Sequence, residues 1–459
     1  MKMTSEMEKR KIRKTAVCIA AFCAVTFSTA AQDALWSADS CMAFAVQHNH
    51  TVRQRRLEVD NYRMDRLRAV GSFLPGVSAG TGADYNFGRS VNPETNTYNN
   101  VSTFQNSYAL QASLTLFRGG SLVNEVRRSR AALLMGKAAL QQSQDDIALE
   151  TLQAYIDVLY CHGTVRLAER KLADSDSLLY KTCRQEELGL KGMADVAQVR
   201  AQQAEDVYNL TCRRNDYHSA LLVLKQKMNY PQSGPLQPDT LLLDADVAED
   251  GKLSSAESAG AVFSQAVLVN PGLAQAAFNR RVTALQRKMA WADVLPSVSL
   301  SAGLSTSYYK ELHKGGYPGF SSQFSNNLGR YFGVNVSIPL FGRLSGVAGI
   351  RKARNNYRIA CVQYEAQREE LRVLVERAVL DRESYSRQCV QMARKVEADR
   401  LAYHTVRRKF EEGLMTSLDV KTSAATLLES ETLMLQSRLT YLLKCRLVDY
   451  YKGESLIRK

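Results

Sequence analysis

The sequence predicts a mixed α and β protomer, mostly α, in which very long helices carry four β-strands of membrane length as a tandem duplication. Three observations predict it: two long stretches without proline, four stretches of alternating apolar and polar residues, and the same order of features met twice in 459 residues.

The nine prolines fall at 75, 93, 231, 235, 238, 271, 296, 318 and 339, so 94–230 and 340–459 are free to form uninterrupted helix. In the first gap Ile147, Thr151, Ala154, Val158, Cys161, Val165, Ala168 and Leu172 step by three and four, and Leu149, Leu152, Ile156 and Leu159 form a second stripe. Two stripes call for two helical neighbours. Residues 122–188 would make a rod of roughly 100 Å, and the shorter segments 40–71 and 193–228 together match it in length. In the second half 344–411 is the long helix, with 260–291 and 416–450 as its shorter partners.

Four stretches alternate with period two, the pattern of strands with one apolar face. They lie at about 77–87, 103–117, 298–309 and 331–341. In 103–117 the even positions include Phe104, Tyr108, Leu110, Leu114 and Leu116, and the odd ones Gln105, Ser107, Gln111 and Ser113. The polar faces are small and uncharged apart from Asp84, which suits a water-filled lumen; a soluble sheet with one wet face is the alternative. Four strands leave two open edges, which hydrocarbon does not tolerate, so sister copies must complete a barrel. The connecting segments 88–102 and 310–330 have the polar, Gly/Asn-rich composition of surface loops.

The duplication appears in particular residues. Asn49-His50-Thr51-Val52 leads into Phe73-Leu74-Pro75 as Asn270-Pro271-Gly272-Leu273 leads into Val294-Leu295-Pro296. Leu116-Phe117-Arg118-Gly119 returns as Leu340-Phe341-Gly342-Arg343, which marks Gly119, Gly120 and Gly342 as strand-to-helix turns. Gly189 through Val196 returns as Gly413 through Val420. The expected organisation is a first repeat over 32–230, a Pro-rich linker over 231–259, a second repeat over 260–450 and a tail over 451–459.

Ahead of these, residues 1–31 read as a secretory signal peptide: a basic start with Lys9, Arg10, Lys11, Arg13 and Lys14, an apolar run from Ala16 to Phe27, then Thr29, Ala30 and Ala31. Cys18 and Cys23 within the run lack the small-residue context of a lipidation site. Loss of this segment takes away six Lys/Arg and two Asp/Glu and lowers the formal charge from +14 to +10. That excess is dispersed, without the basic run and interleaved aromatics of a nucleic-acid groove, so no nucleic-acid partner is expected. Seven cysteines remain, at 41, 161, 183, 212, 361, 389 and 445, an odd number without CxxC spacing. Neither a disulfide framework nor a zinc site is indicated.

The ordered set of strand pairs, Leu-Phe turns and Gly…Asp-Val hairpins resembles the TolC family of outer-membrane efflux proteins over essentially the whole mature chain, and Tyr85-Asn86-Phe87-Gly88-Arg89-Ser90 is similar to members from the Bacteroidota. The resemblance implies a homotrimer whose 12-strand barrel lies in outer-membrane lipid and continues into a periplasmic α-barrel, with an equatorial region from 229–259 and the tail. It implies a passive duct for efflux or type I secretion, served by a periplasmic adaptor and an inner-membrane pump such as an RND or ABC transporter. It places a closing iris at the hairpin tips, where Asp195 and Asp419 fall at acidic positions and Gly189, Gly192, Gly413 and Met415 would meet the adaptor. A second ring carboxylate of the family is Thr422 here, and its linking tyrosine and arginine are Phe410 and Met415, so the familiar polar lock is absent on this side. Thr416-x-x-Asp419 is also a plain helix-capping arrangement, and capping alone and capping plus a lumen ring both fit.

A periplasmic coiled-coil scaffold would explain the helices but not four matched strands. Enzymatic chemistry has no visible constellation: the histidines at 48, 50, 162, 218, 313 and 404 are scattered, and no Ser/His/Asp, HExxH or phosphate-loop pattern occurs. No cofactor or metal is expected.

Overall fold

The computed structural model describes residues 35–91, 96–100, 102–241, 258–312 and 316–457. The expected leader, residues 242–257 of the linker and His313 lie outside the described residues.

The first half runs α1 (Ala38–His48), α2 (His50–Gly71), β1 (Gly76–Asn86), β2 (Arg89–Val91), β3 (Tyr98–Asn100), β4 (Thr103–Arg118), α3 (Ser121–Glu187) and α4 (Met193–Met228). The second runs α5 (Ala259–Val269), α6 (Pro271–Ala292), β5 (Ser297–Glu311), α7 (Phe320–Asn326), β6 (Gly329–Ser337), α8 (Ser345–Glu411) and α9 (Ser417–Lys452).

Each half opens with two helices where the sequence suggests one. At Asn49 the backbone is extended (φ −65°, ψ 134°), and the side-chain oxygen accepts the Thr51 N–H at 2.8 Å, starting a new helix. Asn270 does the same for Leu273 N–H, and Pro271 takes the first helical position, where a missing N–H costs nothing. The helices expected over 40–71 and 260–291 are therefore broken, and His48 and His50 belong to different helices. The two connecting loops also hold structure that composition did not show: the β2–β3 hairpin and the short α7.

β1, β4, β5 and β6 form one antiparallel sheet in that order, leaving β1 and β6 as edges that no described strand pairs with. The register puts apolar residues on one face: Val77 opposes Ala112, Leu110 opposes Leu304, and Leu300 opposes Val334. Ser78, Gln111, Ser113, Ser301 and Asn335 share the other face. Among the described residues nothing covers most of the apolar face, where Val77 is 65% and Phe332 72% exposed. β6 ends at Ser337, so Ile338 and Leu340 lie beyond the strand expected over 331–341.

α3 and α8 have 67 residues each and α4 and α9 have 36 each. The two apolar stripes of α3 both bury, Thr151, Ala154 and Val158 on one and Leu152, Ile156 and Leu159 on the other. Midway along α3 they meet Cys41, Met42 and Ala45 of α1, Leu224 and Met228 of α4, and Leu439 of α9. The Tyr155 hydroxyl sits 3.0 Å from the Trp36 carbonyl and 2.8 Å from that of Asp239, fastening the start of the linker to this core. A second core gathers Leu371, Val375, Ala378 and Val379 of α8 with Val262 and Ala266 of α5 and Val448 of α9.

The strand-to-helix turn of the first half is made by Gly119 and Gly120, both left-handed (φ 53° and 73°). In the second half the equivalent positions are Arg343 and Leu344 (φ 51° and 66°), and Gly342 has no positive φ. The turn expected at Gly342 is thus carried by two residues with side chains, Arg343 and Leu344, both of which are exposed. A Cβ on Gly119 would stand 2.8 Å from Ala292 Cα. Gly119→Ala is expected to cost at least about 2 kcal/mol, combining left-handed strain with a backbone clash. Thermal unfolding in detergent checks this, with Gly120→Ala, which meets nothing within 4 Å, as the milder comparison.

Candidate functional site

The two helical hairpins, α3–α4 and α8–α9, end side by side far from the sheet. Each turn follows a left-handed glycine, Gly189 (φ 71°) and Gly413 (φ 79°), which lets the next N–H reach back. Leu190 N donates to Gln185 O and Leu414 N to Lys409 O, both at 2.8 Å. Gly192 precedes α4 in extended conformation without a side-chain cap.

Thr416 caps α9 with a full capping box. The Asp419 carboxylate accepts from the Thr416 hydroxyl at 2.7 Å and from its N–H at 2.9 Å, while Thr416 Oγ1 accepts the Asp419 N–H at 3.3 Å. The hydroxyl first and the N–H second hold the carboxyl below its ordinary range. Asp195 occupies the matching first turn of α4, where it favours the helix dipole but has no hydroxyl to pair with. Thr422, one turn along from Asp419, returns its hydroxyl to Leu418 O at 2.9 Å. The exposed carboxylate of Asp419 and the Thr422 hydroxyl are therefore already engaged within their own helix.

Phe410 is 1% exposed. It packs with Tyr403 and Val420, and Leu178, Met415 and Leu427 close the cluster around them. Met415 is thus drawn into this cluster instead of standing out at the tip; the side chains that do stand out are Leu188, Leu190, Met193, Leu414 and Leu418. Lys191, from the other hairpin, lays its ammonium 2.9 Å from the centre of the Phe410 ring and donates to Phe410 O at 3.2 Å. Burial pulls the Lys191 ammonium below its ordinary range, with Asp195 opposing the shift.

Polar links join the hairpins above the cluster. Lys181 meets Glu411 at 2.8 Å, Arg407 meets Asp174 at 3.0 Å, Lys421 meets Glu205 at 2.8 Å, and Ser417 donates to Gln198 Oε1 at 3.0 Å. Asp206 is the one buried acid of this region among the described residues, and it lies 3.0 Å from Lys171 while accepting from Ser175 and from Gln202. A cavity of about 40 Å³ opens beside it, lined by Lys171, Gln202, Tyr403, Val420 and Ala424 among others. Sequence reading passed over this network, although Lys171/Ser175 and Gln202/Asp206 each stand four residues apart on facing helices.

The fold agrees with known proteins. The model of the outer membrane efflux protein family matches residues 44–229 and 262–443, covering both halves. The chain belongs to that family. The outer membrane protein TolC of Salmonella enteritidis is 24% identical over 392 residues, spanning 82% of this chain and 73% of the relative. The outer membrane efflux protein BepC of Brucella suis biovar 1 is 22% identical over 355 residues, 77% of this chain and 72% of the relative. Among solved structures, CusC aligns with a TM-score of 0.77 at 18% identity over 91% of this chain and 92% of that one. VceC of Vibrio cholerae aligns at 0.75 and 15% identity, over 91% and 96%. As a member of this family the chain is an outer-membrane efflux channel. No described helix is long and apolar enough to cross a membrane, and the strands are the elements whose pattern suits that task.

Proposed function

We propose that three copies of the chain close their sheets into one 12-strand barrel, continuous with a helical barrel, and that substrates leave passively through its aqueous bore. The observation that carries this is a four-stranded sheet with two bare edges and a bare apolar face, mounted on rods of about 100 Å. The energy comes from a pump of the RND or ABC kind in the inner membrane, and a periplasmic adaptor meets the hairpin tips. Leu188, Leu190 and Leu414 around Gly189, Gly192 and Gly413 supply an apolar patch for that contact, since all three are more than 70% exposed. A trimer that migrates intact in mild detergent and collapses to monomer on heating supports the assembly; a monomer under all conditions overturns it.

The tips act as the gate. The hairpins are clasped by a small apolar cluster and several ion pairs, and an ion-paired seam can be rehydrated on opening at less cost than the equatorial core. Asp419 both caps α9 and, in three copies, concentrates negative charge at the constriction. Asp419→Ala is expected to reduce cation selectivity and sensitivity to cobalt hexammine in planar bilayers; unchanged selectivity leaves capping as its sole role. Because the folded carboxyl titrates below its ordinary value, the cap's contribution is present above about pH 4 and lost as pH falls through the depressed folded value. Amide exchange in the first turn of α9 should rise on that side and not in the alanine variant.

A further inference from the structure

The short helix α7 lies against the apolar face of the sheet at its outer end. Phe320 and Phe324, four residues apart, pack edgewise on Tyr108 at 6.0 and 5.5 Å, and Phe320 also meets Tyr308 at 5.5 Å. Thr306 donates its hydroxyl to Phe324 O at 2.8 Å. The strand register puts Tyr85, Phe104, Tyr108, Thr306 and Tyr308 on the same face as Leu110, Leu304 and Val334. The Gln323 amide turns to the strand edge instead, bonding both N and O of Tyr309 at 2.9 Å, so α7 is fixed where β6 no longer accompanies β5.

Two features of this arrangement match neither bulk water nor hydrocarbon. The outward side of α7 consists of Ser321, Ser322, Ser325 and Asn326, all exposed; beyond the Asn326 amide donating to Ser322 Oγ at 3.4 Å, hydrocarbon would offer these groups no partners. Its inward side is a cluster of six aromatic rings, counting Tyr85 and Phe104, the side chains that gather where lipid meets water. The described strand residues on this face carry two charges, Lys310 and Arg330, both cationic, exposed and adjacent to α7. The acids Asp84 and Glu311 point to the other face, paired with Gln105 and Thr103. From Val298 to Thr306 is eight residue steps of β5, roughly 27 Å along the strand and ~20 Å along the normal at the usual tilt, close to an apolar band.

We propose that α7 is an interfacial anchor, seated in the phosphate-bearing headgroup layer of the outer leaflet, with Lys310 and Arg330 meeting the phosphates. This rests on the reading that the apolar sheet face meets lipid. It makes α7 the upper stop of the hydrocarbon band and keeps the loop out of the bore.

The full chain, reconstituted in phosphatidylethanolamine/phosphatidylglycerol vesicles, tests this with one reporter tryptophan, Trp36 and Trp291 being replaced by phenylalanine. Phe324→Trp, or Phe320→Trp if the first folds poorly, should be quenched at least about twofold more by lipids brominated at shallow acyl positions than at deep ones. Leu110→Trp should show the reverse order. Quenching of Phe324→Trp by aqueous iodide and not by brominated lipid, with Leu110→Trp still quenched by lipid, overturns the anchor while leaving the barrel. Loss of lipid quenching at both positions overturns the anchor and the barrel together. In the same vesicles Lys310→Gln/Arg330→Gln should lose much of the shallow quenching of the Phe324→Trp reporter; shallow quenching equal to that of the parent overturns the phosphate contact.

Discussion

With the tips as the proposed gate, Phe410→Ala is expected to loosen them more than any other single change there, raising spontaneous conductance in planar bilayers well above the parent level. The ring is 1% exposed, walled by Tyr403, Val420 and Leu178, and covered by the Lys191 ammonium. Removing such a side chain costs about 3–5 kcal/mol in lost transfer energy and residual cavity. Lys191 loses its ring partner but keeps its bond to Phe410 O, so part of the link between hairpins survives. Phe410→Leu retains most of the buried volume and should restore most of the closed state. Amide exchange localised to the ends of α3 and α8 would place the loosening at the tips; an alanine variant that conducts and exchanges like the parent would show that the cluster does not hold the gate.

Much of the fold was legible because its signals are long. A proline-free stretch and a repeated offset integrate over dozens of residues, so local exceptions cannot hide them, and period-two alternation gave the faces of the strands except at the end of β4, where a bulge at Leu116 puts Phe117 opposite Val298. The breaks at Asn49 and Asn270 were missed because apolar periodicity continues across them; the decisive act is one side-chain oxygen capping a new helix. α7 was missed because a single i, i+4 pair, Phe320 and Phe324, in seven serine-rich residues is too short a signal to read, and the rings it packs on, Tyr108 and Tyr308, come from two distant strands. At the tips, Phe410 stood out as a departure from the family pattern, but its partner Lys191 is 219 positions away in sequence. Such a pair exists only after two hairpins have folded against each other.

Asp206 was hidden closer at hand, for its partners Lys171 and Ser175 stand on α3 and meet it only once that single hairpin has folded. Lys171→Met should destabilise the α3–α4 hairpin by about 2–4 kcal/mol, because it removes the cation and leaves a carboxylate with 1% of its side chain exposed. The cost stays below the extreme for a stranded buried charge, since Ser175 and Gln202 still donate to the carboxylate and Lys171 itself is 20% exposed. Asp206→Leu alone should cost less, for it strands a lysine that can swing toward water. The double variant Lys171→Met/Asp206→Leu should recover most of the loss, because two apolar side chains of similar volume need no compensation in the space beside Tyr403 and Val420. Thermal midpoints of the four proteins in one detergent form the cycle. If the double variant is as unstable as the sum of the singles, the pair contributes nothing by pairing. If Lys171→Met is neutral, the carboxylate is satisfied by its neutral donors alone. Recovery of stability together with a raised open probability would separate the two roles of the pair: an apolar seam can fold as well as the charged one, but it gives up the directional link between α3 and α4 against which the second hairpin closes.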